Sequence, residues 1–157
     1  MKKRPQGDAL QVQLIHVDLQ RMLCERLDDG DDPLPTWMTQ TTESNGVVSV
    51  ESFDDESHVA CSLSVSMQKD LVCVNVKLVG LYQINPESSV LTSGDTLFER
   101  IPEDYQRGLA RQGLEDLYPF VRQAVHEASV RVRPIAGILL TPQPPELGTP
   151  VRNITPQ

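Results

Sequence analysis

The sequence predicts an α+β protein, in which a four-stranded antiparallel sheet carries a long amphipathic helix packed on one face. Segments of alternating apolar and polar residues recur through the first half of the chain, which is typical of half-buried strands. A single apolar repeat with three- and four-residue steps follows, which is typical of a helix. Strands and helices do not alternate along the chain, so the pattern favours an antiparallel sheet over a parallel one.

The first predicted strand spans residues 10–27, LQVQLIHVDLQRMLCERL. Its apolar residues change parity between Leu14 and Ile15, as a β-bulge would produce, because one extra residue reverses the side on which the following side chains point. A helix over residues 18–27 is the alternative that this segment leaves open. An acidic loop punctuated by glycine and proline, DDGDDPLPTW, follows the strand.

Three further strands are predicted over residues 46–53, 58–67 and 71–84. Only three residues, 68–70, separate the last two, so these strands are expected to form a β-hairpin with its turn at Lys69 and Asp70. Pairing across that turn places one cysteine of the hairpin on the valine-rich face and the other on the serine-rich face. Side chains on opposite faces of a sheet cannot form a disulfide, so the hairpin predicts free thiols at Cys61 and Cys73.

The main helix is predicted over residues 114–132, where Leu114, Leu117, Val121 and Val125 follow one face. Pro119 interrupts this pattern, and a proline in a helix interior costs about 3 kcal/mol. We therefore expect Pro119 near the start of the helix or at a bend before its main body. A separate short helix is predicted over residues 103–111, with Pro102 near its start.

The remaining segments predict one domain with loose ends. Residues 1–8 are expected to form a flexible arm, residues 9–141 a single domain, and residues 142–157 a proline-rich, disordered tail. Within the domain, the short apolar run 138–140 is expected to lie on the surface of the folded body.

Charge and composition exclude several classes of protein. A formal net charge of -8 argues against binding nucleic acid or an anionic membrane surface by electrostatic attraction. The sequence begins without the apolar run of a secretory signal, and no segment is long and apolar enough to cross a bilayer. Three cysteines without metal-binding spacing suit a reducing compartment, so we expect a cytoplasmic protein.

The sequence offers little for catalysis. His16, His58 and His126 lack the spacing that holds a metal, and no phosphate-binding loop or nucleophile elbow is present. We therefore expect no enzymatic activity, no metal and no cofactor. By elimination, the protein is expected to act by binding through apolar surface.

A motif in the main helix, LYPFVR, points to a known family. Leu117, Tyr118, Pro119, Phe120 and Arg122 match the leucine, aromatic, proline, aromatic and arginine with which the main helix of SecB begins. SecB is the bacterial protein-export chaperone. Similar features elsewhere are Trp37, the run Gly80-Leu81-Tyr82 and the sequence GILLTP after the helix. Over residues 10 to 142, the chain thus resembles the SecB-like chaperones.

The resemblance implies a function and an assembly. SecB-like proteins are homotetramers, dimers of dimers with helices between two sheets, and they hold unfolded polypeptides in apolar grooves without ATP. The candidate residues for the client groove are Trp37, Leu81, Tyr82, Ile84, Leu97, Phe98 and Tyr118, with ordinary core packing as the alternative for each. The candidate residues for the interface between subunits are Leu117, Phe120, Val121, Ala124, Val125 and Ala128.

The C-terminal sequence departs from the export chaperone. SecB carries a second helix there that helps it engage the motor protein SecA, whereas PQPPELGTPVRNITPQ is too rich in proline to be helical. SecB-like proteins also protect aggregation-prone antitoxins in toxin–antitoxin–chaperone systems. The expected partners are therefore unfolded polypeptides, with a cognate antitoxin or transported preproteins as candidate clients. An adaptor protein with the same fold and one fixed partner is the alternative.

Overall fold

A computed structural model describes residues 10–38, 45–52, 57–133 and 137–140 of the 157-residue chain. The strands form one antiparallel sheet in the order β1-β4-β3-β2, and a long helix lies on one face of it. The predicted α+β class is therefore confirmed, while the predicted arm (1–8) and tail (142–157) lie outside the described residues. The elements are β1 (Val12–Arg26), β2 (Asn45–Ser52), β3 (His58–Lys69), β4 (Val72–Ile84), α1 (Leu97–Arg100) and α2 (Glu103–Val132).

Strand β1 contains the predicted bulge. Its pairing with β4 shifts register between Leu14 and His16, so the β-bulge at Ile15 is confirmed. A second irregularity, between Leu19 and Arg21, was not predicted. The alternative helix over residues 18–27 is wrong, because β1 stays paired with β4 to its last residue, and these cross-strand bonds satisfy the backbone along the whole segment.

The hairpin between β3 and β4 is confirmed, but its turn lies one residue later than predicted. Lys69 pairs with Val72, so Asp70 and Leu71 form the turn. Asp70 has a φ of 54°, in the left-handed region that aspartate tolerates better than most residues. The demand for a positive φ explains why the turn is centred on this residue.

The two faces of the sheet are covered by different parts of the chain. Helix α2 packs on the valine-rich face, which includes Val74 and Val76. Near Cys73, the opposite face is covered by a smaller apolar cluster from the loop that follows β1; its members are Leu27, Met38 and Cys73, with Leu34, Trp37 and Leu71 packed around them. Cys61 lies on the helix-covered face, and both of these cysteines are free, as predicted.

Helix α2 is one continuous helix of 30 residues, Glu103–Val132, which begins directly after Pro102. The predicted separate helix over 103–111 is therefore wrong, and so is the placement of Pro119 near a helix start. Pro119 lies in the helix interior with its ring exposed, next to the exposed Glu115, whose carbonyl has lost its intrahelical donor. Water can bond that carbonyl, and burial of the opposite face offsets the lost bond.

Helix α1 was not predicted, although its sequence contains a start signal. The Thr96 hydroxyl accepts a hydrogen bond from the Glu99 amide, and the Glu99 carboxylate accepts one from the Asp95 amide. This arrangement resembles a capping box, which the residues TLFE could have revealed. The short helix directs Leu97 and Phe98 into the main core.

Candidate functional site

Two glycines allow α2 to lie very close to the sheet. A Cβ atom added to Gly113 would lie 2.9 Å from the Cβ of Cys61 in β3. A Cβ atom added to Gly80 in β4 would lie 3.1 Å from the side chains of both Leu117 and Leu14. The helix therefore packs directly against the backbone of β3 and β4, and Leu117 meets β1 above Gly80.

A hydrogen bond joins the helix to the centre of the sheet. The Tyr82 hydroxyl donates to Oδ2 of Asp116 at 2.9 Å. Burial raises the pKa of Tyr82, and the hydrogen bond to Asp116 raises it further, because both favour the protonated phenol. Burial, with a smaller effect of the Asp116 charge, raises the pKa of the neighbouring Cys61 thiol to about 12. Both groups stay neutral at ordinary pH and act as structural anchors.

These contacts determine which way each side of α2 faces. Gly113 packs over β3, whereas Asp116 reaches Tyr82 of β4, the next strand toward β1. The side of α2 that carries Asp116 therefore faces β1. Phe120 lies one helical turn after Asp116 and so projects on the same side. Its side chain is 48% exposed.

Strand β1 supplies the other wall of this region. It lies at the edge of the sheet, and within the described part of the chain no strand pairs with its outer side. Ile15 at the bulge is 44% exposed and Leu19 is 51% exposed. Leu19 lies opposite Leu78, on the helix-covered side of the sheet. Val17 of β1 and Leu117 of α2 both lie at the level of Gly80. Measured from that level toward the β3–β4 turn, Leu19 lies about 6.6 Å further along the strand and Phe120 about 4.5 Å further along the helix.

We call this region the edge surface: the open edge of β1 with Ile15 and Leu19, bordered by Phe120 of α2. The partly buried side chains beneath it are also apolar. The surface can therefore offer backbone hydrogen-bonding groups and apolar contacts to a single extended chain. The side chains that lie between it and the core are Leu14, Val17 and Met22.

The candidate groove residues lie mainly within the core of the subunit. Trp37 and Leu81 are half-buried, with Trp37 in the smaller cluster on the opposite face of the sheet. Five of the seven are almost fully buried in the main core, where they stabilise this subunit, and a contact with a client stays a prediction for them. These five are Tyr82, Ile84, Leu97, Phe98 and Tyr118.

The candidate interface residues divide in the same way. Phe120 alone among the six is exposed. The apolar face of α2 is thus used for packing within the subunit, and this packing leaves Phe120 as the candidate whose side chain is free for a neighbour. The five that lie buried are Leu117, Val121, Ala124, Val125 and Ala128.

Sequence reasoning missed Ile15 and Leu19 as surface residues. The signal was present, because the change in apolar parity at Leu14 and Ile15 cannot place both residues on the same buried face. The second register shift, near Gln20, left no comparable pattern, since Met22, Leu23 and Cys24 after it are all apolar and show no alternation.

The described residues offer no alternative site of a chemical kind. Across residues 10–38, 45–52, 57–133 and 137–140, no group of three His, Cys, Asp or Glu side chains could hold a metal ion. In the same ranges, no helix is long and apolar enough to cross a membrane.

Comparison with known proteins identifies the fold. No protein-family model matches the chain, and no curated protein matches it. A solved structure of the Mycobacterium tuberculosis SecB-like chaperone, in complex with a ChAD peptide from the HigA1 antitoxin, matches with a TM-score of 0.57 and 16% sequence identity over 83% of this chain and 86% of that chain. A Streptococcus agalactiae protein of unknown function matches with a TM-score of 0.54 and 14% identity, over 85% of this chain and 98% of that chain. The chain therefore has a SecB-like fold.

Proposed function

We propose that this protein is an ATP-independent chaperone that holds unfolded or aggregation-prone polypeptides on the edge surface. The observation that carries the proposal is the 15-residue strand β1, which no other strand of the described residues covers on its outer side and which displays Ile15 and Leu19 on the side of the sheet bordered by Phe120. The SecB-like fold supports it, because a chaperone of this fold has been solved with a bound peptide.

The chemistry of an open strand suits a holding chaperone. An extended client can pair with the free backbone of β1, and such pairing is independent of the client's side chains. The exposed aliphatic side chains of Ile15 and Leu19 would add affinity for apolar segments, while Phe120 at the border of the surface is assigned to the contact between subunits proposed below. On β1, the polar side chains of His16 and Asp18 hydrogen-bond to each other at 2.8 Å on the outer side of the sheet, away from Leu19. Binding alone accounts for this role, so we propose no enzymatic activity and no cofactor.

The choice of client follows from the structural likeness. The Mycobacterium tuberculosis protein was solved with a peptide from an antitoxin, so we propose a cognate antitoxin as a client of this chain, in the cytoplasm. Delivery of transported preproteins to SecA is the second candidate. A pull-down with SecA and with the unfolded antitoxin of a neighbouring operon would separate the two.

We further propose assembly as a homotetramer, with Phe120 at a contact between subunits. Light scattering of the purified protein is expected to give four times the 17.5 kDa mass of one chain. Phe120→Ser should lower that mass, whereas Glu115→Ser, which changes an exposed residue of the same helix, should leave it unchanged. A wild-type monomer would contradict the assembly.

An aggregation assay tests the holding function. Without nucleotide, the wild-type protein is expected to suppress light scattering by a denatured test protein on dilution. Leu19→Asp should weaken this suppression, because a carboxylate loses its hydration when an apolar segment of the client covers it. Gln13→Asp adds the same charge to the same strand on the opposite face and serves as the matched control. Equal suppression by both variants would remove the edge surface from the proposal.

An adaptor with one fixed partner is the alternative function. The two differ in tolerance, because an adaptor binds one folded protein and a holding chaperone binds many unfolded ones. Several unrelated denatured proteins in the same aggregation assay therefore distinguish them. Protection of none of these proteins would favour the adaptor.

A further inference from the structure

Residues 137–140, which we call the strap, lie against the side of α2 that faces away from β1. Ile138 of the strap is only 2% exposed and belongs to the main core. Leu140 packs against the same core, while Leu139 between them is 61% exposed. This alternation is that of an extended strand, so the strap is held in the conformation of an unfolded polypeptide segment.

Three side chains of α2 hold the strap by its backbone. The Ser129 hydroxyl accepts the amide of Ile138 at 2.7 Å, and a ring nitrogen of His126, Nδ1, lies 3.3 Å from the carbonyl oxygen of Ile138. Nε of Arg122 donates to the carbonyl oxygen of Leu140 at 2.8 Å. We call these residues the cradle. Because these hydrogen-bonding contacts all go to main-chain atoms of the strap, they do not depend on the strap's side-chain sequence.

The apolar part of the site is equally general. One buried aliphatic side chain, that of Ile138, occupies the core position beside the cradle. Any extended segment with a branched aliphatic residue at that point could make the same apolar contact and the same three backbone contacts. The site thus has the properties that a binding site for unfolded chains needs.

We propose that the cradle is a second client site, which takes extended aliphatic segments when they displace the strap. This proposal rests on the holding function proposed above and adds an internal competitor to it. A tethered strap has an effective concentration on the order of millimolar, so a free peptide must overcome that competition before it binds. The strap would therefore select for clients that are long or locally concentrated.

Gly137 provides a way to release the strap without substituting a residue of the cradle. A Cβ atom at position 137 would clash with Cγ1 of Val130 and lie 3.3 Å from the ring of His126. Val130 cannot easily turn away, because a valine in a helix has one strongly preferred rotamer. Gly137→Ala should therefore push the strap off the helix. The additional change Val130→Ala removes the obstructing methyl group and should restore the strap in the double variant.

The experiment measures two quantities in the full-length protein. Hydrogen exchange at the Ile138 amide reports whether the strap is bound, and fluorescence anisotropy of a labelled peptide with the sequence of residues 134–142, PIAGILLTP, reports whether the cradle is open. For Gly137→Ala, exchange should accelerate and the peptide should bind at least about tenfold more tightly than to wild type, since the tethered competitor is lost. The double variant with Val130→Ala should return to wild-type behaviour.

Two further variants complete the test. Ile138→Asn removes the buried anchor and should also open the site, whereas Leu139→Ser changes the exposed residue of the strap and should change neither quantity. If exchange accelerates in either opening variant without a gain in peptide binding, the cradle is not a client site. If neither variant accelerates exchange, the strap is a fixed part of the fold and the proposal is wrong. Aggregation suppression by the wild-type protein tests the holding function separately.

Discussion

Gly113 of α2 and Cys61 of β3 approach so closely that a single methyl group between them would lie 2.9 Å from the cysteine Cβ atom. The cysteine sulfur lies 3.9 Å from the carbonyl oxygen of Leu109, one turn earlier in the helix. This contact positions the first half of α2 over β3, so that Asp116 reaches Tyr82 and Phe120 faces β1. The orientation of the candidate site therefore depends on having a glycine, with no side chain, at position 113.

Gly113→Ala should destabilise the protein by about 1–3 kcal/mol, because overpacking a filled core forces the backbone or its neighbours to move. Gly108 provides a matched control in the same helix, since an added Cβ there would meet no atom within 4 Å. Gly108→Ala should stabilise the helix by about 0.5–1 kcal/mol through its higher helix propensity. Urea denaturation of both variants checks the prediction, and equal effects of the same sign would contradict it.

The strands could be predicted because each has a clear binary pattern. Residues 58–67 and 71–84 alternate with only three residues between them, which strongly favours a hairpin, and the parity change at Leu14 and Ile15 marked the bulge. The turn was misplaced by one residue because its position depends on the positive φ of Asp70, which the alternation does not report.

The helix and the site were harder to predict, for a common reason. Propensity rules treat Pro119 as a helix boundary, but tertiary packing keeps α2 continuous on both sides of it. The same packing buries the residues that looked available, such as Leu117 and Val121, and leaves Phe120 and Leu19 exposed. The exposure of these side chains depends on how the helix lies across the sheet. Gly80 and Gly113 determine that placement through close contacts, which the periodicity of the sequence does not report.

Pro119→Ala should stabilise the protein by up to about 3 kcal/mol. The alanine restores an amide that can donate to the Glu115 carbonyl, and the exposed position accepts the smaller side chain without loss of core packing. Thermal and urea denaturation measure the gain. Gln123→Ala, another exposed change in the same helix, should stay within about 0.5 kcal/mol of wild type. A loss of stability in Pro119→Ala would mean that the backbone geometry imposed by the proline is needed for the fit between α2 and the sheet.

The hairpin turn offers a test of backbone strain. Asp70 combines a φ of 54° with an ion pair to Arg133, whose Nη1 lies 3.2 Å from the aspartate Oδ2. Asp70→Asn keeps the tolerance for positive φ and loses only an exposed ion pair, so it should cost less than about 1 kcal/mol. Asp70→Val should cost about 1–2 kcal/mol more, because a β-branched residue is strongly disfavoured there. Denaturation at low and high salt separates the two effects, since only the ion pair is screened. A valine variant as stable as the asparagine variant would contradict the strain.

The buried thiol and phenol beneath Asp116 predict sensitivity to alkali. Cys61 has a folded-state pKa of about 12 against 9.0 for a free thiol, so between pH 9 and 12 the unfolded chain gives up a proton that the native chain retains. The free energy of unfolding should therefore be independent of this group below pH 9 and fall by about 1.4 kcal/mol per pH unit above it. The raised pKa of Tyr82 adds a second contribution of the same sign above pH 10, the ordinary value for tyrosine.

Urea denaturation from pH 8 to 11 should show this fall in the wild type and a shallower one in Cys61→Ala and Tyr82→Phe, each of which removes one titrating group. Tyr82→Phe should also lower the free energy of unfolding by about 1 kcal/mol at neutral pH, because the hydrogen bond to Asp116 is lost. Tyr105→Phe, which changes an exposed tyrosine of α2, serves as the control and should leave the alkaline slope unchanged. Parallel slopes in the wild type and both core variants would show that neither group stays protonated in the folded state.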